Sequence, residues 1–164
     1  MTKLDPKQKQ ALARVRSLVR LLDDAIEIPG TKYRIGLDPL LGLFPALGDY
    51  LGAILSGYVI WQAARLGVSR ETLVKMGANV LLELVAGTAP VLGDAFDVVW
   101  KANARNLDLL ETHIADPAVS RPVRQPSDRR FVELVLALIG LAALGLGTLS
   151  FVIAWLLIRL LQNL

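Results

Sequence analysis

Apolar and polar positions follow three rhythms along this chain, and each predicts a different kind of helix. From about Lys7 to Ile26, Ala11, Leu12, Val15, Leu18, Val19, Leu22, Ala25 and Ile26 recur at helical spacing while arginines take the other face. This stretch reads as an amphipathic basic helix ended by Pro29-Gly30. Its apolar stripe suits one side of a packed helix or a helix lying in the headgroup plane of a membrane. From Gly36 the polar face is lost. Asp38-Pro39 looks like an N-cap followed by proline at the first helical position of a short apolar helix, which Pro45 and Gly48 interrupt. A second helix starts at Asp49 and runs to about Leu66, where Gly67 and Ser69 mark a tight turn.

Helices over about Arg70–Ala86 and Ala95–Ile114 follow. The second is amphipathic, with Phe96, Val99, Leu107 and Leu110 on one side and Asp97, Lys101, Arg105 and Asp108 on the other. Residues 115–130, with Pro117, Pro122 and Pro126 among arginines, read as an exposed linker. The third rhythm is no rhythm: Phe131 to Leu161 is one long helix, free of charge from Leu134 to Ile158 and long enough to span a bilayer.

An internal repeat stands out. Gly42-x-x-Pro45-x-Leu47-Gly48-Asp49 matches Gly87-x-x-Pro90-x-Leu92-Gly93-Asp94 position for position. Each copy predicts a helix break at Pro45 and Gly48, or at Pro90 and Gly93, followed by an aspartate that caps the next helix. Both copies lie about 30 Å from the turn near Val68 if the intervening helices pair antiparallel. Asp49 and Asp94 are then expected at one depth, clustered with Lys101 or Arg34.

The carboxylates Asp38, Asp49, Glu83, Asp94 and Asp97, with Lys101, lie in or beside apolar helices, where ionisable groups are costly and mark candidate sites. Two readings compete: helix caps and ion pairs, or a path for protons or small cations through broken helices. Asp94-x-x-Asp97 supplies too few oxygens for a magnesium site, so no metal is assigned. Gly48, Gly52 and Ser56 form a stripe of small residues, with Ala143 and Gly147 as a second, and both predict close helix packing between protomers.

Composition sharpens the class. The chain is 54% hydrophobic and 20% charged, with a mean hydropathy of +0.49, greasier than an ordinary soluble domain. It has no cysteine and one histidine, His113, so zinc spacings and thiol chemistry are excluded. No Ser-His-Asp arrangement, phosphate-binding loop or dinucleotide fingerprint is present; no catalytic residue and no cofactor are assigned. The net charge of +3 comes from basic residues at helix ends, which suits anionic lipid headgroups better than nucleic acid. Lysine and arginine counting predicts three crossings, with the N-terminus and the linker in the cytoplasm.

The stretches LDDAIEIPGTKYRIGLDPLLGLFPALGD, SGY, MGAN, PVLGDAFD and WKANARNLDLLE, from about Leu22 to Glu111, resemble the domain-of-unknown-function family 4112, found largely in bacteria. Glu83 stands where that family more often has an aspartate. The resemblance implies a helical, membrane-associated protein and adds no substrate or cofactor. The expectation is therefore an all-α integral membrane protein of the bacterial inner membrane. Its parts are an N-terminal basic helix and loop (1–35), a paired-motif domain (36–114), a linker (115–130) and a transmembrane helix (131–164). Its expected role is that of a homo-oligomeric, non-catalytic scaffold or adaptor, the alternative being a proton or small-cation channel or transporter.

Overall fold

The computed structural model describes residues 4–27, 29–30, 34–37, 47–88, 100–115 and 126–163, with the side chains of 34–35, 47–49 and 126–128 left aside. The first helix, α1 (Pro6–Asp23), opens on a reciprocal capping box. Gln8 N–H donates to Asp5 Oδ1 at 2.7 Å, and Asp5 N–H donates to Gln8 Oε1 at 3.0 Å. Leu12, Val15, Val19 and Leu22 are buried and the arginines are exposed, so the apolar stripe faces protein.

The helix stops three residues short of the predicted Ile26, because the chain turns there into a two-stranded ribbon. In it β1 (Ile26–Glu27) pairs antiparallel with β2 (Arg34–Ile35), Ile26 opposite Ile35. The fold is mostly helical, as expected, with this ribbon as its only sheet among the described residues. Gly36 then crosses the end of α1 so closely that a Cβ there would overlap the Leu22 carbonyl. Leu37 N–H donates to Leu21 O at 3.1 Å, satisfying one of the carbonyls that α1 leaves open.

Helix α2 (Leu47–Arg65) begins two residues before Asp49, so Gly48 and Asp49 belong to its first turn, and the chain that leads into it from Pro45 lies outside the described residues. The α2 C-terminus closes through left-handed Gly67 (φ +93°), with Val68 N–H bonded to Ala63 O. Ser69 caps α3 (Arg70–Gly87) by accepting from Thr72 N–H at 3.2 Å. Lys101, placed inside the helix predicted over Ala95–Ile114, has φ +48°, and α4 (Ala102–Ala115) starts after it. The last helix, α5 (Pro126–Gln162), begins inside the predicted linker.

The α2–α3 hairpin is the middle layer. Helices α4 and α1 pack on one side of it, and α5 packs on the other against α2 and α3. Val15, Val19, Ile60, Leu73, Met76, Val80, Leu110 and Ile139 meet in one core. Helix α5 has mean hydropathy 2.3 in its most apolar window, of which 17% is buried. Among the described residues it is the one helix long and apolar enough to cross a membrane. Beyond Gly147 its large apolar side chains, including Phe151, Trp155, Ile158 and Leu161, are exposed.

The three-crossing topology fails on geometry. It puts the turn near Val68 and the start of the last helix on opposite membrane faces. In the fold they are adjacent, with the Arg70 guanidinium 5.4 Å above the Phe131 ring. The physical reason is that α2 and α3 bury Val59, Ile60, Ala63, Leu73, Met76 and Val80 against protein, as a core hairpin does.

Candidate functional site

A helix presents four unbonded N–H groups at its start, together with the positive end of its dipole. At the start of α4 these groups are met by carboxylates from two other helices. Ala104 N–H donates to Asp23 Oδ2 at 2.6 Å, and Ala102 N–H donates to Glu83 Oε1 at 3.2 Å. Asn103 Nδ2 donates to the other Asp23 oxygen at 3.2 Å. Lys101, in its left-handed conformation, sends its ammonium to Asp24 Oδ1 at 2.5 Å. Asp23 is only 3% exposed, so both of its oxygens work in a poorly hydrated place, where charge-assisted bonds are strong.

The network continues inward. Asn106, fully buried, accepts from Asn79 Nδ2 at 2.9 Å and donates to Met76 O at 3.2 Å. Trp100 Nε1 donates to Asn79 O, and Arg105 both bonds Trp100 O and lies 4.0 Å over its ring. At the far end of α4, His113 Nε2 contacts Gly67 O at 3.2 Å and Arg16 pairs with Glu111 at 2.6 Å. These bonds fix α4, or the Trp100–Lys101 segment that leads into it, to its neighbours, and most use backbone groups. Among the described residues no group of three His, Cys, Asp or Glu side chains could hold a metal ion.

Of the residues nominated from sequence, Glu83 and Lys101 fall in this network. Asp38, Pro45, Pro90, Gly93, Asp94 and Asp97 lie outside the described residues, as does the side chain of Asp49. Asp23 and Asp24 were not among the nominated residues. The signal for them was present: two acids closing a helix oppose its dipole, an unfavourable placement unless another group claims them.

The small-residue stripes are used within the chain. Ser56 and Ala143 are 1% and 3% exposed. A Cβ on Gly147 would stand 3.0 Å from the Tyr50 ring, so this glycine lets α5 approach α2. Gly147 therefore meets α2 within the chain. Gly52 is the exception, with open space where a Cβ would be.

Residues 11–114, more than half of the chain, match the family described as a domain of unknown function, DUF4112. The chain belongs to that family. The DUF4112 segment opens within α1 and closes within α4, so Asp23 and the α4 amides join its two ends. It contains Glu83, Lys101 and all three asparagines of the network, and leaves out α5. Neither a curated protein nor a solved structure matches the chain.

Proposed function

We propose that this chain is a non-catalytic membrane scaffold, in which α5 is the anchor and the DUF4112 helices are a rigid module held at the bilayer. The observation that carries the reading is the use of Asp23 and Glu83. Both carboxylates engage backbone amides of α4, which is the work of a structural cap and leaves Asp23 without access to water. A cation or proton path needs carboxylates that exchange with solvent or with each other.

The basic residues support an orientation. Arg65, Arg70, Arg129 and Arg130 gather at one end of the bundle, whereas Arg159 stands near the other end of α5. By the bias of lysine and arginine toward the cytoplasm, the Arg129 end faces inward. The test is reconstitution of the full chain into liposomes. Retention through carbonate washing, with no proton or potassium flux above empty vesicles, is the expected result. A detergent-free soluble monomer would remove the anchor, and a flux abolished by Asp23→Asn would replace the scaffold with a conducting protein.

A further inference from the structure

Helices α2 and α5 run antiparallel, since Gly57 abuts Leu136 while Gly147 abuts Tyr50. Between them, on the outer side of the bundle, lies an apolar groove of about 530 Å³. Its α2 lip carries Ile54, Tyr58 and Trp61, and its α5 lip carries Leu136, Gly140 and Leu144. Gly140 leaves open space where a side chain would stand. Ile54, Trp61 and Leu144 are exposed, and a continuous apolar face of this kind calls for a cover.

With α5 as the anchor, lipid covers little of it. Glu83 bonds Ala102 N–H, so the Lys101–Asp24 ion pair stands beside the Glu83 level of α3. Helix α3, antiparallel to α2, runs with α5 and sets Gly77 against Val135, which puts Glu83 level with Leu141. Hydrocarbon can begin no earlier than that level, because charged groups are costly inside it. Most of the groove therefore stands outside, beside the exposed Arg20 and Arg105. From Leu141 onward α5 still has about 20 residues, or about 30 Å, enough to cross the bilayer.

Each lip ends in a charge, and the two charges share one height. Trp61 is one turn beyond Gly57, so it is level with α5 one turn before Leu136, where Glu133 stands. The Arg65 guanidinium is folded back to 4.8 Å from the Trp61 ring. Glu133 continues the Leu136, Gly140 and Leu144 stripe at helical spacing. Arg65 is exposed and makes no ion pair among the described residues. Glu133 meets Arg129 at 3.3 Å in an exposed pair, of a kind worth little.

We propose that this groove is the interface between two copies of the chain, related by a two-fold axis that runs along it. The α2 lip of each copy lies on the α5 lip of the other, and Arg65 pairs with Glu133 of the partner subunit. The inference rests on α5 being the anchor, because two copies held in one bilayer with the same orientation meet side by side at the same height. A two-fold contact repeats every pairing, so both charge pairs form together. A face with a cation on one lip, an anion on the other and an apolar furrow between is complementary to itself, which selects a second copy over an unrelated partner.

The test is the mass of the full-length protein in detergent micelles, read by sedimentation. The parent is expected to be a dimer. Arg65→Glu and Glu133→Arg should each weaken it about tenfold or more, because like charges then face each other at both contacts. An equimolar mixture of the two variants should recover dimers, since every contact in the mixed pair is again of opposite sign. A charge pair within one chain cannot give that result. Gly140→Leu fills the groove and should give a monomer with the unfolding midpoint of the parent; if it does not fold, the mixing result decides alone. A monomeric parent overturns the interface. So does a dimer indifferent to both charge variants, or a mixture that stays monomeric. A chain that remains in solution without detergent overturns the anchor instead, and the mixing experiment still reads the interface.

Discussion

Helices α4 and α5 both pack on the α2–α3 hairpin, one on each side, yet by opposite means. Helix α4 is held by polar bonds, with Asp23 and Glu83 on its starting amides and Asn106 tied to Asn79 and Met76 O. Helix α5 is held by missing side chains: Gly57, Gly77 and Gly147 let Leu136, Val135 and Tyr50 come into contact. Directional bonds accept one register and fail when a partner is lost. Close packing of small residues fixes a distance between helices but leaves the exposed outer side free of any requirement except an apolar neighbour. The first device suits a module that must keep its shape, and the second suits an anchor.

This contrast can be broken most severely at Asp23. Asp23→Ala removes two charge-assisted bonds to α4 and should destabilise the fold by about 3 kcal/mol, read as a lowered unfolding midpoint in mild detergent. Asp23→Asn keeps an acceptor for Ala104 N–H and should lose less. If both substitutions leave the midpoint unchanged, α4 is not held by its cap. Next comes Asn106→Ala, expected to cost about 2 kcal/mol because it strips Asn79 and Met76 O of a buried partner. The anchor side should respond more mildly. Gly147→Leu drives a side chain into the Tyr50 ring, and overpacking of this kind costs about 1–3 kcal/mol. Its signature is loosened α2–α5 contact with Asp23–α4 protection intact in hydrogen exchange, and loss of protection at both sites would show that the two sides are one unit.

The smallest effect lies at Glu71. Lys75, bonded to it at 2.7 Å, holds its carboxyl below the usual range. A group whose folded pKa is depressed contributes stability above its unfolded pKa, and that contribution is lost as pH falls through the folded value. Glu71 is fully exposed, so solvent screens the pair. Removing it with Glu71→Gln should leave the unfolding midpoint within error from neutral pH downward, against the clear shifts expected at Asp23.

What was legible in the sequence follows from how local each determinant is. The periodic stripe of α1, the Gly67–Ser69 turn and the charge-free run of α5 are local patterns, and each gave an element close to the one observed. Lys101 carries no turn signal; its left-handed backbone is imposed by neighbours, and so the break before α4 was invisible. The two-residue strands of the ribbon are too short to show a period. At Gly147 the small residue does mark a close approach, that of the Tyr50 ring. A small residue does not encode whether the approaching helix belongs to the same chain, as Tyr50 does at Gly147. Asp23 was hidden for the same reason: its partners lie 80 and 81 residues away.

That separation has a kinetic consequence. Most helices nucleate from nearby residues within microseconds, long before tertiary structure forms. Helix α4 draws part of its starting cap from a residue 81 positions earlier, so its first turn is completed only after a long loop has closed, an entropic cost met before that bond repays it. Protection of the Ala104 amide should therefore appear in the same slow phase as the docking of α1, whereas that of Ala102, bonded to Glu83 only 19 residues away, can come earlier. A chain stopped within α1–α3 has nothing for Asp23 to cap, and one that begins after α1 keeps only the Glu83 bond to Ala102 N–H at the start of α4.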